Sequence, residues 1–85
     1  MTEALAIELT LIRKTPGVLG GAARIRDLRI AVWMLVRARS LGLTDEELLD
    51  RYDMPLTPRD LEAAWDYFAH HREEVEAEIR RNEEA

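Results

Sequence analysis

Residues 17–21 (GVLGG) are the first stretch of this sequence that could take part in chemistry, because glycine-rich loops can bind phosphate. A phosphate-binding loop needs a lysine and a serine or threonine straight after its last glycine, and a helix that begins there. Here Ala22 and Ala23 follow, with strand-like residues after them. The stretch therefore predicts a reversal of the backbone and no nucleotide site.

His70 and His71 are the only histidines, and they are adjacent in a segment predicted to be helical. Neighbouring helical side chains point about 100° apart, so these two cannot bind one metal ion as an i, i+4 pair does. Asp66, His70 and Glu74 share a helical face, a pattern typical of weak surface ion pairs. We expect no metal site, no cofactor and no catalytic residue, since no nucleophile or pocket motif accompanies the acids.

The composition narrows the cellular setting. The chain has no cysteine, which excludes disulfides and thiolate zinc sites and suits a cytoplasmic location. Its longest apolar run, residues 30–36, is far shorter than the roughly 20 residues of a membrane span. No cationic leader precedes an apolar segment, so we expect no secretory signal and no membrane partner.

Charge is unevenly distributed along the 85 residues. Residues 1–42 hold seven basic and three acidic side chains, whereas residues 43–85 hold five basic and fourteen acidic ones, which gives the net charge of -5. Such asymmetry is typical of a protein with two different partners, although two solvated faces would also produce it.

The order of the predicted helices raises the question of DNA binding. A short helix over 44–52, a turn and a helix from Thr57 match the helix-turn-helix layout. Near its start the last helix carries Arg59 but also three acids, which DNA phosphates would repel: Asp60, Glu62 and Asp66. Any DNA contact is therefore predicted mainly at three arginines of the first half, Arg24, Arg26 and Arg29. Arg59 is a further candidate.

The hydrophobic pattern predicts one mainly α domain over residues 1–85, with a short N-terminal β element. Alternating apolar residues over 5–13 predict a strand, and Pro16-Gly17 a turn. Residues 23–30 predict a hairpin that turns at Arg26-Asp27, with Asp27 in the left-handed conformation. Residues 1–30 would thus form a β-strand and glycine-rich hairpin arm.

Capping signals divide the rest of the chain into three helices. Gly42 is placed to end the first helix. Thr44 and Glu47 form a capping box that opens the second. Thr57-Pro58 opens a third, long helix. The predicted helices span residues 31–42, 44–53 and 57–82, and together they indicate a small helix-turn-helix, winged-helix-like domain.

The third helix carries an apolar stripe that continues past the expected core. Its spacing is that of a helix seam: Leu61, Trp65, Phe68, Val75 and Ile79, with Arg72 in the missing position. Such a stripe needs a cover, which the N-terminal strand, a second copy or another protein could supply. The surrounding acids favour a basic partner surface. The predicted partner-binding residues are Phe68, Arg72, Val75 and Ile79.

The N-terminal strand predicts a homodimer, because an apolar strand at a chain end is an open edge that a second copy can pair with. The apolar face of this strand supplies the predicted dimer interface: Leu5, Ile7, Leu9 and Leu11.

Several stretches together resemble one protein family. They are TPGVLGG at 15–21, RI at 24–25, RIAVW at 29–33, LTDEELL at 43–49, Tyr52, LTP at 56–58 and AA at 63–64. The family comprises short bacterial and archaeal proteins that are catalogued as a domain of unknown function and regarded as VapB-like antitoxins. The likeness covers residues 12–79.

This resemblance implies a winged or helix-turn-helix-like domain, encoded beside a PIN-like ribonuclease toxin that it restrains. It implies no catalytic residue. The chain departs from the family pattern at Ala22-Ala23, where Arg-Pro is usual, and at Asp27-Leu28, where Gly-Thr is usual. We expect a non-enzymatic antitoxin-like protein. The alternatives are a DNA-binding regulator that represses its own promoter and a plain homo-oligomer.

Overall fold

A computed structural model describes residues 11–52 and 55–84 of the chain. Within these residues a short antiparallel hairpin, β1 and β2, is followed by four helices, so the mainly helical class with an N-terminal β element is confirmed. The elements are β1 Ile12–Arg13, β2 Arg24–Ile25, α1 Val32–Ser40, α2 Asp45–Arg51, α3 Pro58–His70 and α4 Arg72–Glu84.

The glycine-rich stretch connects β1 to β2. The turn predicted at Pro16-Gly17 is present, with Gly17 at φ 84° and a hydrogen bond from Val18 N to Thr15 O of 3.0 Å. A 3-10 turn over Leu19–Gly21 follows, in which Gly20 has φ 66°. These glycines reverse the chain so that Ile12 lies opposite Ile25.

The tip beyond β2 turns at Arg26-Asp27, where the amide of Leu28 donates to the carbonyl of Ile25 at 2.8 Å. The expectation that Asp27 takes the left-handed conformation is wrong, because Arg26 takes it, with φ 45°. The side chain of Arg26 is held by two hydrogen bonds to Asp60, which offset the cost of this conformation.

Local signals at the helix ends act as the sequence predicts. Gly42, with φ 105°, follows α1, and its amide donates to Arg39 O. The next amide, that of Leu43, donates to Ala38 O, which completes a Schellman motif. At the start of α2, Thr44 Oγ1 accepts from the amide of Glu47, while Glu47 Oε1 accepts from the amide of Thr44.

The single long helix predicted over 57–82 is wrong, because the chain bends at His71 and forms α3 and α4 instead. His71 has φ -134° and ψ 41°, and its amide still donates to Tyr67 O at 2.9 Å. Its ring stacks on that of Tyr67, with centroids 4.1 Å apart. The bend returns α4 to the body of the protein, where it packs against α1 and α3.

The core lies between the hairpin and the four helices. Its fully buried side chains include Ile25, Ile30, Val32, Leu35, Leu48, Leu61 and Val75. Val75 is 0% exposed, so the coverage argument that placed it on a partner surface is wrong: α4 turns it into its own chain's core. Burial of such an aliphatic side chain contributes about 1.5–3 kcal/mol, which favours the bend over a straight helix.

Candidate protein-binding groove

A groove with a volume of about 720 Å³ lies between α1, α3 and α4. This volume falls within the roughly 300–1,000 Å³ that is usual for ligand sites. The half-buried apolar side chains are Val36 from α1, Trp65 and Phe68 from α3, and Ile79 from α4. The polar lining residues are Arg39, Ser40, Arg72, Glu76 and Arg80.

Each helix gives the groove one face. Along each helix the lining residues recur after three or four positions, for example from Val36 to Ser40 and from Arg72 to Glu76, which is the spacing of side chains that lie above one another. The bend at His71 then sets Phe68, in the last turn of α3, beside Arg72, the first residue of α4. The groove is therefore a product of the bend, which separates two helices that a straight segment would have fused.

Two arginines lie over the aromatic rings of the groove. Arg39 Cζ is 4.6 Å from the ring centroid of Trp65, and Arg72 Cζ is 4.6 Å from that of Phe68. Both contacts are cation–π interactions, which leave the N–H edges of the guanidinium at the rim. Among the described residues, carboxylate oxygens of Asp45 and Glu76 lie 3.6 Å from Arg39 and 3.8 Å from Arg72. Both distances are those of an ion pair and exceed that of a hydrogen bond.

Trp65 adds an unsatisfied donor to the wall of the groove. Its indole Nε1 is buried and has no hydrogen-bond partner among the described residues. Buried indole N–H groups usually have a partner, so an unsatisfied one marks a place where packing is incomplete.

Three of the four predicted partner-binding residues meet in this groove: Phe68, Arg72 and Ile79. The sequence reading missed the contribution of α1, chiefly Val36 and Arg39, and also Arg80 of α4. No local signal identifies these residues, because the packing of α4 against α1 creates the groove. The acids that flank the stripe do not dominate the groove, since three arginines and one glutamate line it. The predicted basic partner surface does not match that lining.

Arg24 does not lie on a surface that DNA could reach, contrary to the prediction. The residue is 8% exposed, and its guanidinium donates to Thr15 Oγ1 at 2.9 Å and to the carbonyl of Leu28. It therefore ties the glycine-rich connection to the hairpin tip from inside. This corrects the reading of Arg24 as a phosphate contact.

Arg26 also points inward, toward Asp60. Its Nε and Nη2 donate to the two carboxylate oxygens at 3.0 and 2.8 Å, and Nη2 donates to Pro55 O at 2.9 Å. Asp60 is 1% exposed and also forms a capping box with Thr57. Burial raises the pKa of Asp60, but the hydrogen bonds from Arg26 and Thr57 outweigh it, so the pKa lies below its ordinary value. The prediction that Asp60 is displayed on the exposed start of the helix is therefore wrong, because Asp60 is buried and joins the arm to α3.

The remaining predicted site residues divide into two groups. Arg29 and Arg59 are exposed. Of the predicted dimer residues, Leu5, Ile7 and Leu9 lie outside the described residues. Leu11 is half-buried, and its carbonyl accepts a hydrogen bond from the amide of Arg26 at 2.7 Å.

The two acids on the inner side of α4, Glu74 and Glu78, differ in their partners. Glu74 accepts hydrogen bonds from Tyr67 OH and from Lys14 Nζ at 2.9 Å, so the face predicted for Asp66, His70 and Glu74 is divided by the bend. Burial raises the pKa of Glu74, and these two bonds more than offset it. Burial and the nearby Glu74 raise the pKa of Glu78, one of whose oxygens has no partner among the described residues.

The part of the chain that the structure describes contains neither a metal-binding cluster nor a membrane-spanning helix. No group of three or more histidine, aspartate or glutamate side chains there could hold a metal ion. None of the helices in residues 11–52 and 55–84 is long and apolar enough to cross a membrane.

The hairpin, the four helices and the groove define a small, mainly helical domain. A family model described as "Protein of unknown function (DUF433)" matches residues 12–68, and the chain belongs to this family. The chain is similar to the crystal structure of a DUF433 member protein from Anabaena variabilis ATCC 29413, with 42% sequence identity and a TM-score of 0.80. The match covers 94% of this chain and 86% of the other. No curated protein matches the chain.

Proposed function

We propose that this protein is a non-enzymatic, antitoxin-like binding protein that restrains a PIN-like ribonuclease by holding it at the groove between α1, α3 and α4. The groove carries the proposal, because its composition is that of a protein interface. Aromatic residues and arginines are enriched at the centres of interfaces, where they contribute most of the binding energy. Trp65 and Phe68 supply the aromatic surface, and Arg39 and Arg72 stack on it.

The class of partner rests on the family resemblance. The resemblance to VapB-like antitoxins supplies the kind of protein that would be covered, a ribonuclease encoded nearby.

Coexpression with the product of the neighbouring reading frame tests this proposal. We expect the two proteins to copurify, and the ribonuclease activity of the partner to fall as this protein is added. A partner that copurifies but retains full activity would contradict the inhibitory role. A neighbouring product that neither copurifies nor shows ribonuclease activity would contradict the antitoxin reading.

A DNA-binding regulator remains the second candidate, favoured by the succession of α2 and α3 and by the exposure of Arg29 and Arg59. Arg24 and Arg26 are committed to contacts within the chain, so we expect duplex binding to be weak and steeply salt-dependent. Arg29→Ala with Arg59→Ala should lower the log–log salt slope by about two units. Absence of a gel shift at low salt would remove this candidate.

A further inference from the structure

We infer that the groove binds an acidic amphipathic helix of the partner protein. This inference rests on the proposed function and names the part of the partner that this site takes. It is carried by three properties of the groove: the charge of its lining, the secondary structure of its walls and its apolar floor.

The lining charge favours an acidic occupant. Three arginines and one glutamate line the groove, a balance of +2 in a protein whose net charge is -5. Glu76 faces Arg72 at 3.8 Å, and Arg39 lies 3.6 Å from Asp45, so neither guanidinium makes a close carboxylate hydrogen bond there. A carboxylate brought to either edge would form the shorter, charge-assisted bond.

The walls favour a helix over an extended segment. All three walls are helices, whose backbone amides and carbonyls are bonded within their own turns. An extended peptide gains affinity from main-chain bonds to an open strand edge, which these walls do not provide. A helix satisfies its own backbone and presents side chains at i, i+3 and i+4 to an apolar groove.

The apolar floor of the groove determines which side chains of the bound helix would contact it. Val36, Phe68 and Ile79 offer half-buried apolar surface between the arginines of the two rims. Aliphatic side chains on successive turns of the occupant would cover this surface. Acids that flank them on the occupant would then reach Arg39, Arg72 or Arg80.

Titration of the full chain with synthetic peptides tests the inference. The probe is a peptide of about 16 residues, roughly four helical turns, with leucines at i, i+4 and i+7 and glutamates beside them. One control peptide has lysine for every glutamate, and a second has the same composition in scrambled order. Chemical-shift changes in this protein's amides report where each peptide binds.

The inference predicts that the acidic peptide shifts amides of α1, α3 and α4 around the groove, and that it binds at least tenfold more tightly than either control. Arg72→Glu with Arg80→Glu should abolish that preference, because both residues are exposed on the rim. Equal binding of the basic peptide, binding elsewhere or no binding would each overturn it, as would a dimer that Arg72→Glu with Arg80→Glu converts to monomer, since a second copy would then occupy the groove.

Peptide binding and copurification separate this inference from the proposed function. If the peptide does not bind but a ribonuclease copurifies, the helix is the wrong occupant and the proposed function stands. If the acidic peptide binds at the groove but the neighbouring product is no ribonuclease, the occupant is right and the antitoxin reading fails.

Discussion

At the scale of single residues, the contact between Arg26 and Asp60 joins the hairpin arm to the start of α3. Asp60 is buried, but the side chain of Arg26 is 33% exposed, so water screens the charge that loses its partner. We expect Asp60→Ala to lower the free energy of unfolding by about 2 kcal/mol, since it removes a screened ion pair and one half of a capping box. Urea denaturation measures this.

Glu47→Ala is the matched control, because Glu47 holds the equivalent capping position at α2 but is exposed. It should cost about 1 kcal/mol or less. Equal losses for the two variants would show that the Arg26 contact contributes nothing.

The lowered pKa of Asp60 predicts a loss of stability in acid. A carboxyl whose pKa is depressed in the folded state contributes stability that is present above its unfolded value, about 3.9, and is lost as the pH falls through the folded value. Thermal unfolding at several pH values below about 4 should show this decline. Asp60→Asn should flatten it, and an unchanged slope would contradict the assignment.

Glu78 contributes a pH dependence of stability with the opposite sign, because its pKa is raised by burial and by Glu74. The folded protein then holds this proton more tightly than the unfolded chain, so the ionised carboxylate destabilises the fold as the pH rises above about 4.3. We expect Glu78→Gln to raise the melting temperature at pH 7, with a difference that shrinks toward pH 4. A lower melting temperature for the variant at pH 7 would contradict this.

At the scale of elements, the bend at His71 decides what α4 does. It places Val75 in the core, whereas Ile79 remains half-buried at the groove. Val75→Ala should therefore lower the free energy of unfolding by about 2 kcal/mol, as expected for a fully buried aliphatic. Ile79→Val, which removes one methylene at the groove, should cost less than 1 kcal/mol. Equal small losses would place Val75 outside the core.

The same elements show what could be predicted from the sequence. Helix caps depend on local sequence, so Gly42 correctly predicted where α1 stops. Thr44 and Thr57 likewise predicted where α2 and α3 begin. The bend has no local cause, since neither glycine nor proline stands at residue 71. It follows from contacts with α1 and α3, together with the Tyr67–Glu74 hydrogen bond. A reading that missed the bend could not foresee that α4 would form a groove with α1.

The prediction that Arg24 and Arg26 form an exposed basic surface fails for a related reason. Arginines in a polar stretch normally indicate an exposed basic face, and Arg24 and Arg26 alternate with apolar residues in that way. Their partners, the half-buried Thr15 and the buried Asp60, lie nine and 34 positions away along the chain. Pairing across such distances depends on the tertiary fold, which the local pattern does not record.

At the scale of the whole molecule, the groove is a basic-lined site on an acidic protein. An acidic partner segment would gain the attraction of the rim arginines but would meet repulsion from the net charge of -5. Short contacts are screened less than long-range repulsion, since the Debye length is about 8 Å at physiological ionic strength. We expect association to depend only weakly on salt, unlike the steep dependence of DNA binding.

The dissociation constant of the complex with the copurified ribonuclease tests the central claim most directly. Arg72→Glu with Arg80→Glu reverses two charges at the groove, and Arg59→Glu with Arg29→Glu reverses two exposed charges outside its lining. The groove account predicts that the first pair weakens binding at least tenfold, about 1.4 kcal/mol, and that the second pair changes it by less than about twofold. The reverse order, or equal effects of the two pairs, would contradict it.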